Sequence, residues 1–284
     1  MLPNHMKQKK RFGPGTGKFR LTAKTAPAIL ISDLHLTPES PETLAYFHRF
    51  LESLGDIDSL YVLGDLFEYW LGDDACETLG HSPVENALKD LTNVGTPVRV
   101  MPGNRDFLLG QEFAYRTGST ILKGATVQPF FGRQVLLLHG DSLCTDDEAH
   151  QKFRFIVDQP EWRSAFLDKR ISERDGIGRA IRFRSNIEKR YKTSRIMDVN
   201  QLAVEAVLKP TKARLLIHGH THRPGIHQWA LNGRTYSRVV LGDWSVGPSW
   251  IEIREADMQL HYQGTIERLD LNQIWVLTSA KSNV

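Results

Sequence analysis

Cysteine is scarce in this chain: Cys76 and Cys144 are its only two. They are too few for a disulfide framework, and no Cys-x-x-Cys pair offers a thiolate zinc or redox site. Such usage fits a reducing compartment. Long apolar runs are absent as well. No stretch approaches the ~18 apolar residues that a membrane-spanning helix requires, and the first residues lack the apolar centre of a secretory signal, so any membrane contact is expected to be peripheral. Nor is there a strong charge of one sign: a formal net charge of +3 is too small for a general polyanion binder. What is there is 284 residues of ordinary globular composition, 40% hydrophobic and 24% charged, at a length that suits one enlarged domain.

The text changes abruptly at Pro27. Residues 1–26, rich in Lys, Arg, Gly and Pro and without periodicity, read as a flexible basic extension. Their GPGTGK stretch has neither the spacing of a phosphate-binding loop nor an apolar strand before it. Residues 27–284 read as one domain. Short apolar runs at 29–32, 60–63, 98–101, 135–138 and 215–217 are expected to be buried strands, with helical patterns at about 42–54 and 84–93 between the first three. Such alternation predicts an α/β sheet with its functional groups at the carboxyl ends of the strands. Runs at 226–231, 235–241 and 250–254, broken by Asn-Gly and Gly-rich turns, look like antiparallel strands, so the expected core is mixed and two-sheeted. Between about 144 and 208 a long polar insertion carries Phe153, Ile156, Trp162, Phe166 and Ile171 at roughly helical spacings, and is expected to be a helical lid.

Polar clusters follow the apolar runs: Asp33-Leu34-His35, Gly64-Asp65, Gly103-Asn104-Arg105-Asp106, His139-Gly140-Asp141 and Gly219-His220-Thr221-His222. Any one of the first clusters alone is more often a cap or turn than a ligand set. Alternate histidines after a strand point the same way if the chain stays extended, which makes the last cluster harder to dismiss. The whole set in order at successive strand ends is the informative observation. Carboxylates, imidazoles and one amide oxygen suit Mn, Fe or Zn, and a metal pair sharing one carboxylate polarises a phosphoryl oxygen and makes water nucleophilic near neutral pH. Phosphoester or phosphoanhydride hydrolysis is the expected chemistry. His218, still inside its strand, reads as a packed core histidine, and His48, His81, His150, His227 and His261 read as structural or surface residues.

Over about residues 28–245 these clusters resemble the signature of the calcineurin-like metallophosphoesterases: Asp-x-His, Gly-Asp, Gly-Asn-His-Asp/Glu, His and Gly-His-x-His. The resemblance implies two mixed β-sheets sandwiched by helices (αββα). It also implies two divalent metal ions, one held by Asp33, His35 and His222, the other by Asn104, His139 and His220, with Asp65 bridging. One position departs from the pattern: Arg105 stands where many members have a histidine that protonates the leaving group. Arginine is permanently charged and presents a planar fork to phosphate, so it binds or stabilises charge but cannot act as an acid. A good leaving group is then preferred, which favours a phosphoanhydride.

Asn-Arg-Asp, Ser-Asp-Leu-His-Leu, His-Gly-Asp-Ser-Leu-Cys-Thr-Asp-Asp, Gly-Asp-Leu-Phe-Glu-Tyr-Trp and Ile-Met-Asp-Val-Asn together resemble the UDP-2,3-diacylglucosamine pyrophosphohydrolase family of lipid A biosynthesis. That resemblance implies attack of water on the α-phosphorus, release of UMP and diacylated glucosamine 1-phosphate, manganese as the metal, and work at the cytoplasmic face of the inner membrane. It makes Asp65, Asn104, Arg105 and His139 catalytic, and Asn104, Arg105, Asp147, Ser185, Lys189, Lys192 and His220 substrate-binding. Ser185, Lys189 and Lys192 are spaced to share one helix face. Between Lys169 and Arg195 the cations outnumber the acids Glu173, Asp175 and Glu188 and interleave with Ile171, Ile177, Ile181, Phe183 and Ile187. A basic amphipathic segment of this kind can lie on an anionic membrane surface. A general nucleotide pyrophosphatase or cyclic nucleotide phosphodiesterase would have little need of it. A nuclease would use its cations on a phosphate backbone, but the modest net charge and Arg105 count against one. A non-catalytic scaffold is disfavoured because every ligand position holds a competent residue. Neither nucleic acid nor an obligate protein partner is expected.

Overall fold

Every residue of β1 (Ala28–Ile31) is buried, and the strand divides its side chains between two cores: Ala28 and Leu30 face one, Ile29 and Ile31 the other. This period-two partition is what a strand covered on both faces requires. The computed structural model describes residues 26–191 and 196–275, with the side chains of 186 and 188–191 outside that description. The basic extension up to residue 25, Lys192 and the side chain of Lys189 therefore lie outside the described residues.

From β1 the chain runs through α1 (Pro41–Ser53), β2 (Ser59–Leu63), α2 (Ser82–Asn93), β3 (Val98–Met101), α3 (Gln111–Thr117) and β4 (Thr120–Ile121). β1, β2, β3 and β4 pair in parallel. Their outer face packs against Phe47 and Phe50 of α1, Val84 and Leu88 of α2 and Phe113 of α3. A hairpin of β5 (Thr126–Phe130) and β6 (Arg133–Leu137) opens the second sheet, which continues after the insertion with β7 (Leu215–His218), β8 (Gly225–Leu231) and β9 (Arg234–Val240). β10 (Trp250–Ile253), β11 (Asp257–Tyr262), β12 (Thr265–Asp270) and α8 (Leu271–Trp275) complete the described chain.

The result is a seven-stranded sheet in the order β12-β11-β10-β1-β2-β3-β4 against a five-stranded sheet β5-β6-β7-β9-β8, both of mixed direction. Leu63, Met101 and Ile251 from the first sheet and Leu137, Ile217 and Val239 from the second fill the space between them. The strands expected at 226–231, 235–241 and 250–254 part company: β8 and β9 form a hairpin, whereas β10 crosses to pair with β1. β4, β5, β11 and β12 were not anticipated. β4 is only two residues long, and β11–β12 is an edge hairpin whose outer strand leaves Thr265, Ile266, Arg268 and Asp270 exposed, so its pattern is polar.

Four helices fill the crossover between the parallel strands β6 and β7: α4 (Glu148–Val157), α5 (Pro160–Leu167), α6 (Ile171–Tyr191) and α7 (Gln201–Leu208). α7 buries Val204 and Leu208 in the inter-sheet core. α6 sits on the segment after β2. Its buried Arg174 donates to Leu71 O at 2.6 Å and pairs with Asp74, Tyr69 donates to Asp175 at 3.3 Å, and Gly178 leaves room for Leu71. The Ile-Met-Asp-Val-Asn stretch has structural work: Asn200 caps α7 and donates to Asp146, and Asp198 accepts from Arg223.

Candidate active site

Parallel strands point their carboxyl ends to one edge, so the turns after β1, β2, β3, β6 and β7 meet there. Backbone bonds tie the first two turns together: Asp33 N donates to Gly64 O at 3.1 Å and His35 N to Asp65 O at 3.0 Å. Asp33, His35, Asp65, His220 and His222 all have left-handed backbones, with φ between 51° and 66°. Such conformations cost non-glycine residues on the order of 1–3 kcal/mol each and gather at functional sites. The glycines of two clusters are needed for close approach. A Cβ on Gly64, which has φ +92°, would lie 2.3 Å from His139 Nδ1, and one on Gly219 would lie 2.1 Å from Asp33 Oδ2.

The turns bring together two groups of donor atoms, Asp33, His35 and His222 in one and Asp33, Asp65 and His139 in the other. Asp33 Oδ2 accepts from Ser32 Oγ at 2.6 Å and from His220 N at 2.9 Å. Its Oδ1 is buried without a hydrogen bond from any described residue, 3.3 Å from His222 Nε2. Burial opposes its charge, yet His222, His139 and His35 hold its pKa well below the usual carboxylate range. His139 Nδ1 donates to Leu63 O at 2.9 Å, which turns the Nε2 lone pair inward. There Nε2 meets Asn104 Oδ1 at 3.0 Å and Asp65 Oδ1 at 3.6 Å. Acceptors facing one another need a cation or a proton between them. Asp65 and Asp33 overcome burial to push His139 up to about 9, a measure of how strongly this spot draws positive charge. His35 Nε2 and His222 Nε2 face each other in the same way at 3.3 Å. Half-buried His220 lies 5.1 Å from the His139 ring, and desolvation and His139 hold its pKa well below the ordinary imidazole value. These oxygen and imidazole donors fit divalent cations.

Side chains behind the donors hold the turns in place. Buried Asp106, part of the third cluster, accepts from Gly103 N at 2.7 Å, Leu66 N at 2.8 Å and Phe67 N at 3.3 Å, cross-linking the turns after β2 and β3. Burial and nearby Asp65 push its pKa up to about 6 in spite of those bonds. Glu68, to which sequence reasoning assigned no role, lies 3.2 Å from His35 Nδ1 and accepts from Arg105 Nη1 at 2.9 Å. Burial would raise its pKa, but His35, Arg105 and Arg182 hold it down to about 2. Arg105 also donates its backbone N–H to Asp65 Oδ1 at 2.8 Å.

The remaining candidates are more scattered. Asp147 is the N-cap of α4, accepting from His150 N at 3.1 Å. Ser185 is half-buried on α6, three residues after Arg182. His150, read from sequence as structural or surface, comes to the edge of the site, its ring 5.3 Å from that of His220 and its Nε2 3.9 Å from Asp141 Oδ2. His218 is the packed core histidine expected: Nδ1 donates to Gly219 O at 2.8 Å and Nε2 accepts from Arg238 at 3.1 Å, leaving no lone pair for a metal.

Donors of this kind at the carboxyl edge of a two-sheet sandwich suit hydrolysis of phosphate esters and anhydrides, and the protein is a hydrolase of the metal-dependent phosphoesterase class. The family described as calcineurin-like phosphoesterase matches residues 26–224. UDP-2,3-diacylglucosamine hydrolase from Aromatoleum aromaticum is 47% identical over 76% of this chain and 89% of its own length. The protein of the same name from Serratia proteamaculans is 44% identical over 82% of this chain and 97% of its own, and that from Escherichia coli O81 is 42% identical over the same shares. The chain belongs to the calcineurin-like phosphoesterase family and, within it, to the group of UDP-2,3-diacylglucosamine hydrolases that these relatives represent.

Proposed function

We propose that this enzyme hydrolyses the pyrophosphate bond of UDP-2,3-diacylglucosamine, releasing UMP and 2,3-diacylglucosamine 1-phosphate (lipid X) in lipid A biosynthesis. The observation that carries the choice of bond is Arg105. It lies between Asp65 and Glu68 at the donor cluster, where an acid would be needed to expel an alkoxide. Its fixed charge and planar fork suit a phosphate leaving group, which needs no proton from the enzyme.

Asp33, His35 and His222 would hold one cation, Asn104, His139 and His220 the other, and Asp65 both; Mn²⁺, one of the ions that oxygen and imidazole donors suit, is the proposed metal. When bound, such a pair supplies charge that polarises a phosphoryl oxygen and makes water nucleophilic near neutral pH. The chain's own part is to hold the donors. The Leu63 carbonyl orients His139, and Asp106 fixes the turns that carry Asp65 and Asn104. Arg105 binds the diphosphate and steadies the charge that develops as the bond breaks.

The insertion helices α4 to α6 would serve as the cover over this edge, with Asp147, Ser185, Lys189 and Lys192 the residues assigned to bind the glucosamine and its phosphate. The enzyme attaches peripherally to the cytoplasmic face of the inner membrane. Among the described residues no helix is long and apolar enough to cross a membrane. Exposed Phe155 and Ile156 on α4 and Phe183 and Ile187 on α6 offer apolar tips for a lipid surface. Arg174, Arg179 and Arg182 of α6 are already paired with Asp74, Asp175 and Glu68, so among these residues the apolar tips make the contact.

Purified protein with Mn²⁺ and UDP-2,3-diacylglucosamine in detergent, run beside UDP-glucosamine, tests the reading. UMP released from the acylated substrate alone is expected; equal cleavage of both would make it a general nucleotide pyrophosphatase.

A further inference from the structure

A cavity of about 450 Å³ opens beside the donor cluster at His35, within the range of about 300–1,000 Å³ of small-molecule sites. Its wall is mixed: Thr37, Ser40, Thr43, Asp243 and Ser245 line it beside Leu34 and Tyr69, and α6 contributes Arg179 and Arg182. Ser40 is the N-cap residue of α1 but makes no side-chain cap hydrogen bond. Asp243 lies 3.8 Å from His222 Nδ1, so the cavity adjoins the first donor group along two of its residues. A second cavity, of about 430 Å³, opens at the other end of the cluster beside Asn104 and His139, and there the wall includes Phe107, Leu109, Ile121, Leu122, Phe153 and Val157.

A diphosphate held at the donor cluster must send its two substituents in different directions. One half of the proposed substrate carries acyl chains and wants the apolar wall. The other is a ribose with vicinal hydroxyls and a base with two carbonyls and one N–H, all of which want hydrogen-bond partners. We propose that the His35-side cavity is the nucleoside subsite, taking the uridine half. Asp243 accepts from the ribose hydroxyls, as carboxylates do in dinucleotide sites. The Ser40 and Thr43 hydroxyls answer the base. Arg179 and Arg182, paired with Asp175 and Glu68, form the α6 side of the same wall. This assignment rests on the substrate proposed above.

The test is calorimetric titration of the Mn²⁺-loaded protein with UMP, with inorganic phosphate and with lipid X, for the natural chain, Thr43→Leu and Ser245→Leu. The second variant changes an exposed loop residue and guards against misfolding of the first. UMP is expected to bind the natural protein at least about ten-fold tighter than phosphate. Each variant is expected to lose about ten-fold in UMP affinity while keeping its affinity for phosphate and lipid X. UMP affinity unchanged in both variants, or lipid X affinity weakened as much as that for UMP, would overturn the assignment. If UMP behaves as expected but UDP-2,3-diacylglucosamine is not cleaved, the subsite stands and the substrate falls; cleavage with unchanged UMP binding means the reverse.

Discussion

Arg182 on α6 donates to Glu68 Oε1 at 2.5 Å, and so joins the helical insertion to the site. The same oxygen accepts from Arg105, and the other carboxylate oxygen faces His35. One side chain thus contacts His35, Arg105 and α6 at once.

Replacing Glu68 by Gln keeps the shape and removes the charge. Outer partners of metal ligands typically contribute about 10–100-fold in metal affinity or activity. Glu68→Gln is expected to lose about that much in kcat/KM and to bind Mn²⁺ more weakly in a metal titration, with an unchanged melting temperature for the metal-free protein. Unaltered Mn²⁺ binding would mean that Glu68 does not position His35.

Asp65 is the carboxylate proposed to bridge the two cations. Asp65→Ala is expected to lose nearly all turnover and to retain fewer ions per chain by elemental analysis than the natural protein. Lys192→Ala, by contrast, is expected to raise KM for the lipid-linked substrate with little change in kcat. An inactive Asp65→Ala protein that keeps its full metal content would contradict the bridge.

Acid stability should show the mark of His81. This buried ring lies against Phe67 and Trp70, and burial lowers its pKa from 6.5 to about 4. The unfolded chain takes up the proton first, so the stability His81 contributes is full above pH 6.5 and is lost as pH falls towards 4, at up to ~1.4 kcal/mol per unit. Urea unfolding of metal-free protein across that window should fall less steeply for His81→Phe. Parallel curves would rule His81 out.

Cys76 and Cys144 are both buried, and burial first of all pushes each thiol up to about 12. The native protein is expected to be inert to Ellman's reagent near neutral pH and to react at both cysteines once unfolded. Fast labelling of the folded chain would show that one of them opens to solvent.

Much of the site was legible because its chemistry is concentrated. Asp33, His35, Asp65, Asn104, His139, His220 and His222 each follow an apolar run, and strand ends are where α/β folds place such groups. Glu68 was not legible, because its partners Arg105 and Arg182 are 37 and 114 positions away and no periodicity links them. His150 looked like one more polar residue in a helix until α4 turned it towards His220. Asp106, inside a recognised cluster, bonds backbone amides where spacing alone could not distinguish it from a ligand.

By itself the sequence determined the local quantities: which runs are apolar enough to be buried strands, which turns carry donors, and that Arg105 replaces an acid with a fixed charge. These depend on neighbours a few positions apart, where hydrophobic periodicity and residue chemistry act directly. Only the tertiary structure decided the rest: that β10 leaves the β8–β9 hairpin to pair with β1, that Asp33 faces His222 with a bare oxygen, and that α6 reaches Glu68. Those relations are set by the joint packing of two sheets and a long crossover, whose contacts join residues far apart in the chain and leave no repeating signal in it.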